Sequence, residues 1–286
     1  MPLHRHPALS RFSLLGLLLV TAAVPLGAQI TLQEYQARRD SLAARIGDGV
    51  VVAFGGRTPV TDFGPFFQLP AFHYLTGYDH ADATLVSVVQ GGRATSRLFA
   101  ARSTPRRALY YGPEPDSAAI QRDLGLTFRS SDDLPVVLDS LAGAGAAFFT
   151  LRDFEDADFQ TADSLTRGGQ MMKALQARHP GLQVSDAQPI VNRLRARKSP
   201  AELALIRKAA EVSVAGHRAM MARIAPGMHE YDLQAIAEYT FRRLGSERPA
   251  YGSIVGSGPN GTQLHYMKDR RELRPGEVVV IDAGAE

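Results

Sequence analysis

The first half of the chain switches between two spacings of apolar residues. Positions three and four apart predict a short helix that Gly47 ends, with a buried face made of Leu32, Tyr35, Leu42 and Ile46. The unbroken apolar run at residues 50–54 predicts a buried strand. Residues 84–89 and 93–100 predict a hairpin, because a Gly-Gly turn separates two strand-like runs.

A strand at residues 146–151 and a polar helix reaching Ala174 extend this pattern. Together the elements predict an α/β domain with a mixed sheet over residues 30–186. Residues 187–199 are predicted to connect it to a second domain, and they carry a basic cluster of Arg193, Arg195, Arg197 and Lys198. The cluster is interpreted as solvated charge at a domain junction, with an anion-binding patch as the alternative.

A second domain, residues 200–286, is predicted to begin with a long helix. Ser199-Pro200-Ala201-Glu202 has the pattern of a capping box with proline at the first helical position. The apolar stripe that follows predicts the buried face of this helix, and its members are Leu203, Ile206, Ala210, Val214, His217, Met221 and Ile224. We interpret His217 as a residue of this buried face and not as a ligand.

The rest of the second domain predicts one more helix and three extended segments. The helix spans about residues 230–244 and would bury Leu233, Ile236, Ala237, Phe241 and Leu244. Extended segments are predicted near 250–255, 262–267 and 278–282. Helices laid on a sheet in this order indicate an α+β domain.

Residues 1–28 resemble a secretory signal. Basic residues precede an apolar run from Phe12 to Val24, and small residues lead to a cleavage site after Ala28. The run is shorter than the ~20 residues of a spanning helix, so cleavage is expected in preference to retention as a membrane anchor. A periplasmic or secreted protein, free of the membrane after cleavage, is the resulting expectation.

Charge and cysteine content limit the partners and the metal sites that are expected for this chain. The chain has 32 Lys and Arg against 29 Asp and Glu, and loss of Arg5 and Arg11 with the signal leaves an excess of about one. A nucleic-acid partner is not expected, since such proteins carry a strong basic excess on one face. With no cysteine, disulfides and thiolate sites are excluded, so any metal must be held by oxygen and imidazole ligands.

Three glycines suggest two different sites. Gly256, Gly258 and Gly261 have the spacing of the dinucleotide fingerprint, and Asp282 follows 21 residues after Gly261. That fingerprint requires a helix opening within the glycines, whereas Pro259 favours a turn. A dehydrogenase is therefore the weaker interpretation.

In the other interpretation, the glycines let backbone approach a substrate. Asp282 ends an apolar run and would reach the same cavity as His265, the two residues converging from neighbouring strands. A carboxylate held rigidly at the end of a strand suits a hard divalent metal, and His265 could donate a hydrogen bond beside a reacting carbonyl. For each residue alone, a plain structural role remains the alternative.

These motifs resemble aminopeptidase P of the pita-bread metallopeptidase superfamily, which includes prolidase and creatinase. The resemblance runs from about Tyr35 to the last residue, and it is densest in residues 250–261, 264–266, 273–276 and 281–284. It implies an aminopeptidase P N-terminal domain followed by the first half of a pita-bread catalytic domain, so that the chain would be truncated at its C-terminal side.

The resemblance also implies an activity and its residues. It implies removal of an N-terminal residue that precedes a penultimate proline in a peptide, with two divalent metal ions, usually manganese. Asp282 matches one of five metal ligands, His265 matches a histidine that contacts the substrate, and Tyr251 matches a tyrosine lining the site. The other four ligands have no counterpart here, so the 286-residue chain is expected to be inactive by itself.

Three alternatives stay open at this point. A non-catalytic relative could use the same fold as a peptide- or protein-binding module, and a prolidase or creatinase would differ in its substrate. The third is the nicotinamide-dependent dehydrogenase. A homo-oligomer is possible for a full-length protein, and poor solubility is expected for the chain alone because apolar surface would be exposed.

Overall fold

A computed structural model describes residues 29–58, 66–151 and 167–286. The predicted signal at residues 1–28 lies outside this part of the chain, and so do residues 152–166. Among the helices of the described ranges, none is both long and apolar enough to cross a bilayer.

The N-terminal domain is built on a mixed six-stranded sheet. Its strands are β1 Gly49–Phe54, β2 Thr84–Gln90, β3 Arg93–Ala100, β4 Thr127–Ser130, β5 Phe148–Thr150 and β6 Val184–Asp186. They lie in the order β4-β3-β2-β1-β5-β6, with β2 antiparallel to both neighbours and the other pairs parallel. The predicted hairpin is confirmed: Gly91 and Gly92 turn with positive φ values of 57° and 74°, the combination that a two-residue hairpin loop favours.

Helices cover both faces of this sheet. The helices described in this domain are α1 Leu32–Ile46, α2 Pro70–Thr76, α3 Pro105–Tyr111, α4 Ser117–Leu124, α5 Leu134–Gly143, α6 Arg167–Arg178 and α7 Gln188–Ala196, of which α3 is mostly exposed. In β1, Val51 and Ala53 pack with α1, α2 and α7, whereas Val50 and Val52 pack with α5 and α6. A strand buried on both sides explains the unbroken apolar run at this position, and the predicted α/β fold is confirmed.

The segment predicted as a connection contains helix α7. Val191 of this helix is fully buried in the same core as α1 and α2, so the packed core extends past residue 186. Within the basic cluster, Arg193, Arg197 and Lys198 are exposed.

The second domain contains α8 Pro200–Met221, α9 Glu230–Arg243 and the antiparallel pair β7 Ile254–Ser257 with β8 Val279–Asp282. The predicted capping box is confirmed, since Ser199 and Glu202 exchange hydrogen bonds between side chain and backbone N–H. The extended segment predicted near 262–267 was wrong, whereas the one near 278–282 is strand β8. Residues 258–262 form a 3-10 turn and 263–267 form no strand, because this stretch pairs with neither β7 nor β8.

The buried face of α8 also differs from the prediction. The residues of this helix that are buried are Val212, Gly216 and Met220, while much of the predicted stripe is exposed: Leu203, Ile206, Val214 and Met221. Packing against α9 is the physical reason. A Cβ on Gly216 would lie only 2.2 Å from Cε1 of Phe241, so the missing side chain lets α9 approach on that side.

An ion pair between Arg38 and Glu202 joins the two domains. Arg38 on α1 is nearly buried and lies 3.1 Å from Glu202, whose other oxygen completes the capping box of α8. The Arg38 guanidinium stacks over the ring of Tyr74 at 4.2 Å. Glu202 therefore fixes both the first turn of α8 and its attachment to α1.

Candidate active site

Asp282 lies at the end of β8 on the face of the sheet that the helices leave open. Val279 and Ile281 point to the other face, where they pack with Val255 and the apolar residues of α8 and α9. Since side chains alternate along a strand, Val280 and Asp282 face away from the helices and are exposed. The β7–β8 pair therefore presents one carboxylate on an accessible surface.

Tyr251 contacts that carboxylate directly. Its hydroxyl donates a hydrogen bond to Oδ1 of Asp282 over 2.5 Å. This hydrogen bond, with smaller contributions from burial and from the negative charge of Asp282, raises the pKa of Tyr251 above its ordinary value of 10.0. The phenol thus remains protonated at neutral pH and can orient the carboxylate.

Backbone contacts hold the segment that follows Asp282. His217 of α8 donates from Nε2 to the carbonyl oxygen of Ala283 over 2.9 Å, and Ser213 accepts from the N–H of Ala285 at the same distance. These bonds agree with the interpretation of His217 as a structural residue. Asp282 is therefore anchored by β7 on one side and by α8 on the other.

The three glycines close a tight loop. A Cβ on Gly256 would lie 2.9 Å from the carbonyl oxygen of Asn260, and one on Gly261 would lie 3.1 Å from that of Gly256. Gly258 has a φ of +50°, which L side chains rarely adopt. The loop ends in a five-residue 3-10 turn with no α-helix opening from it, so it lacks the order of elements that a pyrophosphate site requires.

His265 lies in the irregular arm that follows this loop. Its side chain is exposed, whereas its neighbour Tyr266 is buried. In the part of the chain that the structure describes, His265 forms no hydrogen bond or ion pair. The structure thus brings Tyr251 and Asp282 into contact, and it leaves His265 accessible without a bond to either.

A buried glutamate lies beneath the loop and the arm. Glu230, the first residue of α9, is fully buried and accepts five hydrogen bonds from Ser257, Asn260, Tyr266 and Arg271. Burial alone would raise the pKa of Glu230, but these donated bonds outweigh it and lower the pKa to about 2. Sequence analysis missed this residue, because an acidic residue at the start of a helix also suits the helix dipole.

The described residues do not complete a metal site. Among them, no group of three or more His, Asp or Glu side chains could hold a metal ion. A cleft of about 850 Å³ lies between the two domains, but Tyr251, His265 and Asp282 are not among its lining residues. Asp282 is thus suited to contribute one oxygen ligand, but the described residues do not supply the other ligands that a metal ion needs.

Comparisons with known proteins define the class of both domains. The family model for the aminopeptidase P N-terminal domain matches residues 35–148, and the model for metallopeptidase family M24 matches residues 204–286. The order of these two domains supports similarity to aminopeptidase P of the pita-bread metallopeptidases. The fold predicted for the second domain, the first part of an α+β catalytic domain, is confirmed by the M24 match.

Individual relatives agree with this assignment. A Xaa-Pro aminopeptidase of Escherichia coli is 29% identical over 91% of this chain, and the chain spans 60% of the length of that relative. The structure of E. coli aminopeptidase P in a low-pH form matches with a TM-score of 0.78 at 28% identity, covering 90% of this chain and 60% of that one. Proline aminopeptidase P II of Yersinia pestis matches with a TM-score of 0.76 at 30% identity and the same coverage.

Proposed function

We propose that this chain supplies the N-terminal domain and part of the active site of a metal-dependent Xaa-Pro aminopeptidase. The contact of Tyr251 with Asp282 on the open face of β7–β8, within an M24 domain, is the observation that carries this proposal. The substrates would be peptides with proline at the second position. Such bonds need a dedicated enzyme, because proline has no amide hydrogen for ordinary recognition.

Each of the three residues has a separate role in this proposal. Asp282 would be a metal ligand, Tyr251 would orient it through the phenol hydroxyl, and His265 would contact the substrate from its exposed position on the arm. Two divalent ions, with manganese as the proposed metal, would supply the activated water and polarise the scissile carbonyl. The described residues provide one of the ligands, so no further chemical step is assigned to this chain.

Two properties of the chain by itself are part of the proposal. The 286-residue polypeptide should show no Xaa-Pro cleavage with added Mn²⁺, because no group of three or more His, Asp or Glu side chains among the described residues could hold a metal ion. The protein should be periplasmic or secreted, with signal cleavage after Ala28. Amino-terminal sequencing of the secreted product tests this, and a mature protein that retains Met1 would contradict it.

A completed enzyme tests the activity. The chain would be fused to the part of the E. coli relative that it does not cover, and turnover of a Xaa-Pro peptide with Mn²⁺ would be measured. We expect turnover that is lost in Asp282→Asn and retained in the control Glu286→Gln, whose carboxylate lies four residues further on. A fusion that folds and binds Mn²⁺ without Xaa-Pro turnover would contradict the proposal and favour a non-catalytic binding module.

A further inference from the structure

The buried carboxylate of Glu230 joins two segments of the candidate site that do not pair with each other as strands. One is the glycine loop at residues 256–261, and the other is the arm at residues 263–271, which carries His265. Both segments lie at the N-terminal end of α9, where Glu230 is 0% exposed. An ionised carboxylate in such a place is stable only when its oxygens receive hydrogen bonds.

The two carboxylate oxygens of Glu230 accept hydrogen bonds from different segments. Oε1 accepts from the backbone N–H and the hydroxyl of Ser257, both over 2.7 Å, and from the Asn260 amide over 3.0 Å. Oε2 accepts from the Tyr266 hydroxyl and the backbone N–H of Arg271, both over 2.9 Å. One oxygen therefore holds the loop, and the other holds the arm.

Two additional bonds brace the segments directly. The Asn260 amide donates to the Tyr266 hydroxyl over 2.9 Å, and the Arg271 guanidinium donates to the Ser257 hydroxyl over 2.8 Å. Arg271 also forms a bidentate pair with Glu277 at 2.6 Å. Loop, arm and helix are thus joined by a polar network centred on a single side chain.

We propose that Glu230 is a positioning residue for the substrate side of the site, because it sets where His265 stands relative to the glycine loop. Tyr266 is the link to His265. Its buried hydroxyl is bonded to Glu230, and the adjacent residue is thereby held with its imidazole in solvent. The role of His265 as a substrate contact rests on the proposed function, whereas the placement of the arm by Glu230 does not.

Substitutions separate the two halves of the network. In Glu230→Gln, the amide oxygen can take the place of Oε1 and keep its three donors. The opposite orientation is disfavoured, because it would place the amide nitrogen against these three donor groups. In the favoured orientation the amide nitrogen faces the N–H of Arg271, so the variant loosens the arm and spares the loop. Glu230→Ala removes both halves. Tyr266→Phe removes the bond from Tyr266 to Glu230 and the bond that Tyr266 accepts from Asn260, but it leaves the bonds from the loop to Oε1 in place.

Hydrogen exchange followed by mass spectrometry measures the result in the 286-residue chain. We expect exchange in residues 263–271 to rise about tenfold or more in Glu230→Gln and Tyr266→Phe, with residues 257–262 little changed. In Glu230→Ala, both segments should exchange faster. Glu238→Gln is the matched control, because this glutamate lies on the same helix and, among the described residues, forms its hydrogen bonds with Ser253 and Gln234.

The position of His265 is followed by its imidazole NMR signal, identified by its loss in His265→Gln. The signal should shift in Glu230→Gln and in Tyr266→Phe but not in Glu238→Gln. A uniform rise of exchange through α8 and α9, or an unchanged arm in both Glu230→Gln and Tyr266→Phe, would overturn the positioning role. If Glu230→Ala fails to fold, the two milder variants still decide the matter.

These measurements need no peptidase turnover. Loss of the segment-specific pattern overturns the role of Glu230 and leaves the proposed activity standing. Absence of Xaa-Pro turnover in the completed enzyme, with the pattern intact, overturns the proposed activity alone.

Discussion

The hydroxyl of Tyr251 lies 2.5 Å from Oδ1 of Asp282, although 31 residues separate the two along the chain. Tyr251 comes from the segment before β7, and Asp282 ends β8, so the antiparallel pairing of these strands creates the contact. A phenol that donates to a carboxylate leaves the second carboxylate oxygen available. This arrangement suits a metal ligand whose orientation is fixed before an ion arrives.

Removing the carboxylate should change how Tyr251 titrates. The folded pKa of Tyr251 is raised, so the hydrogen bond is present below pH 10 and is lost as the pH rises through the folded pKa. In Asp282→Asn, the pKa of Tyr251 should fall towards its ordinary value, as followed by the phenol carbon in NMR. Glu286→Gln should leave it unchanged, and an unaltered titration in Asp282→Asn would contradict the contact.

Glu230 should make the free energy of unfolding depend on pH in the acidic range. Its folded pKa of about 2 is below the ordinary 4.5, so its stabilising contribution is present above pH 4.5 and is lost as the pH falls through 2. The difference in unfolding free energy between wild type and Glu230→Gln should shrink by about 3 kcal/mol from pH 7 to pH 2. Urea unfolding at several pH values measures it, and a difference that stays constant would refute this assignment.

Truncation of two valines on α8 should change the free energy of unfolding by different amounts. Val212 is 4% exposed and Val214 is 49% exposed, although they are two residues apart on the same helix. Val212→Ala should cost about 2 kcal/mol of unfolding free energy because it leaves a cavity against α9. Val214→Ala should change it by less than about 0.5 kcal/mol. A larger loss for Val214→Ala than for Val212→Ala in thermal or urea unfolding would show that α8 packs through the face predicted from sequence.

Replacing Gly216 with alanine tests whether helix propensity or overpacking dominates at the contact of α8 with α9. Alanine normally improves a helix by up to about 1 kcal/mol, but its Cβ would lie 2.2 Å from Phe241. Overpacking should prevail, and Gly216→Ala should lose about 1–3 kcal/mol of stability. Gly143→Ala is the control, since its Cβ would meet nothing closer than 3.7 Å and should be neutral or stabilising. A stabilised Gly216→Ala protein would mean that the helices sit further apart.

Solubility should depend on the exposed apolar face of α8. Ile206 and Val214 are about half exposed and lie on the same stripe as Leu203 and Met221. Contiguous apolar surface of this kind promotes association. Replacing Ile206 and Val214 together with lysine should raise the soluble, monodisperse fraction in light scattering, with little change in melting temperature. A wild-type chain that is already monodisperse at the same concentration would contradict the expectation.

Local signals account for most of the fold that sequence analysis predicted. Helix α1 begins at Leu32 after the N-cap residue Thr31, whose side chain accepts from Glu34 N–H, and it ends before Gly47, as its pattern indicated. The glycine pair between β2 and β3 and the capping box of α8 are equally local. Such features depend on backbone geometry over a few residues, so they can be recognised without the partner segments.

The buried face of α8 could not be predicted in this way. Apolar residues lie on more than one side of the helix, and the large ones suggested the wrong face. The absence of a side chain at Gly216 admits Phe241, and only the position of α9 reveals this. Similarly, residues 262–267 have strand-like composition but no strand beside them with which to pair.

The sequence by itself determined the class of the protein, several elements of its first domain, and the identities of Tyr251, His265 and Asp282 as candidates. The tertiary structure decided that Tyr251 and Asp282 touch, that His265 stands apart from both, and that Glu230 holds the loop and the arm. The reason is physical: local patterns report backbone preferences, whereas the partners of a buried carboxylate come from segments up to 41 residues away and are known only once the chain has folded.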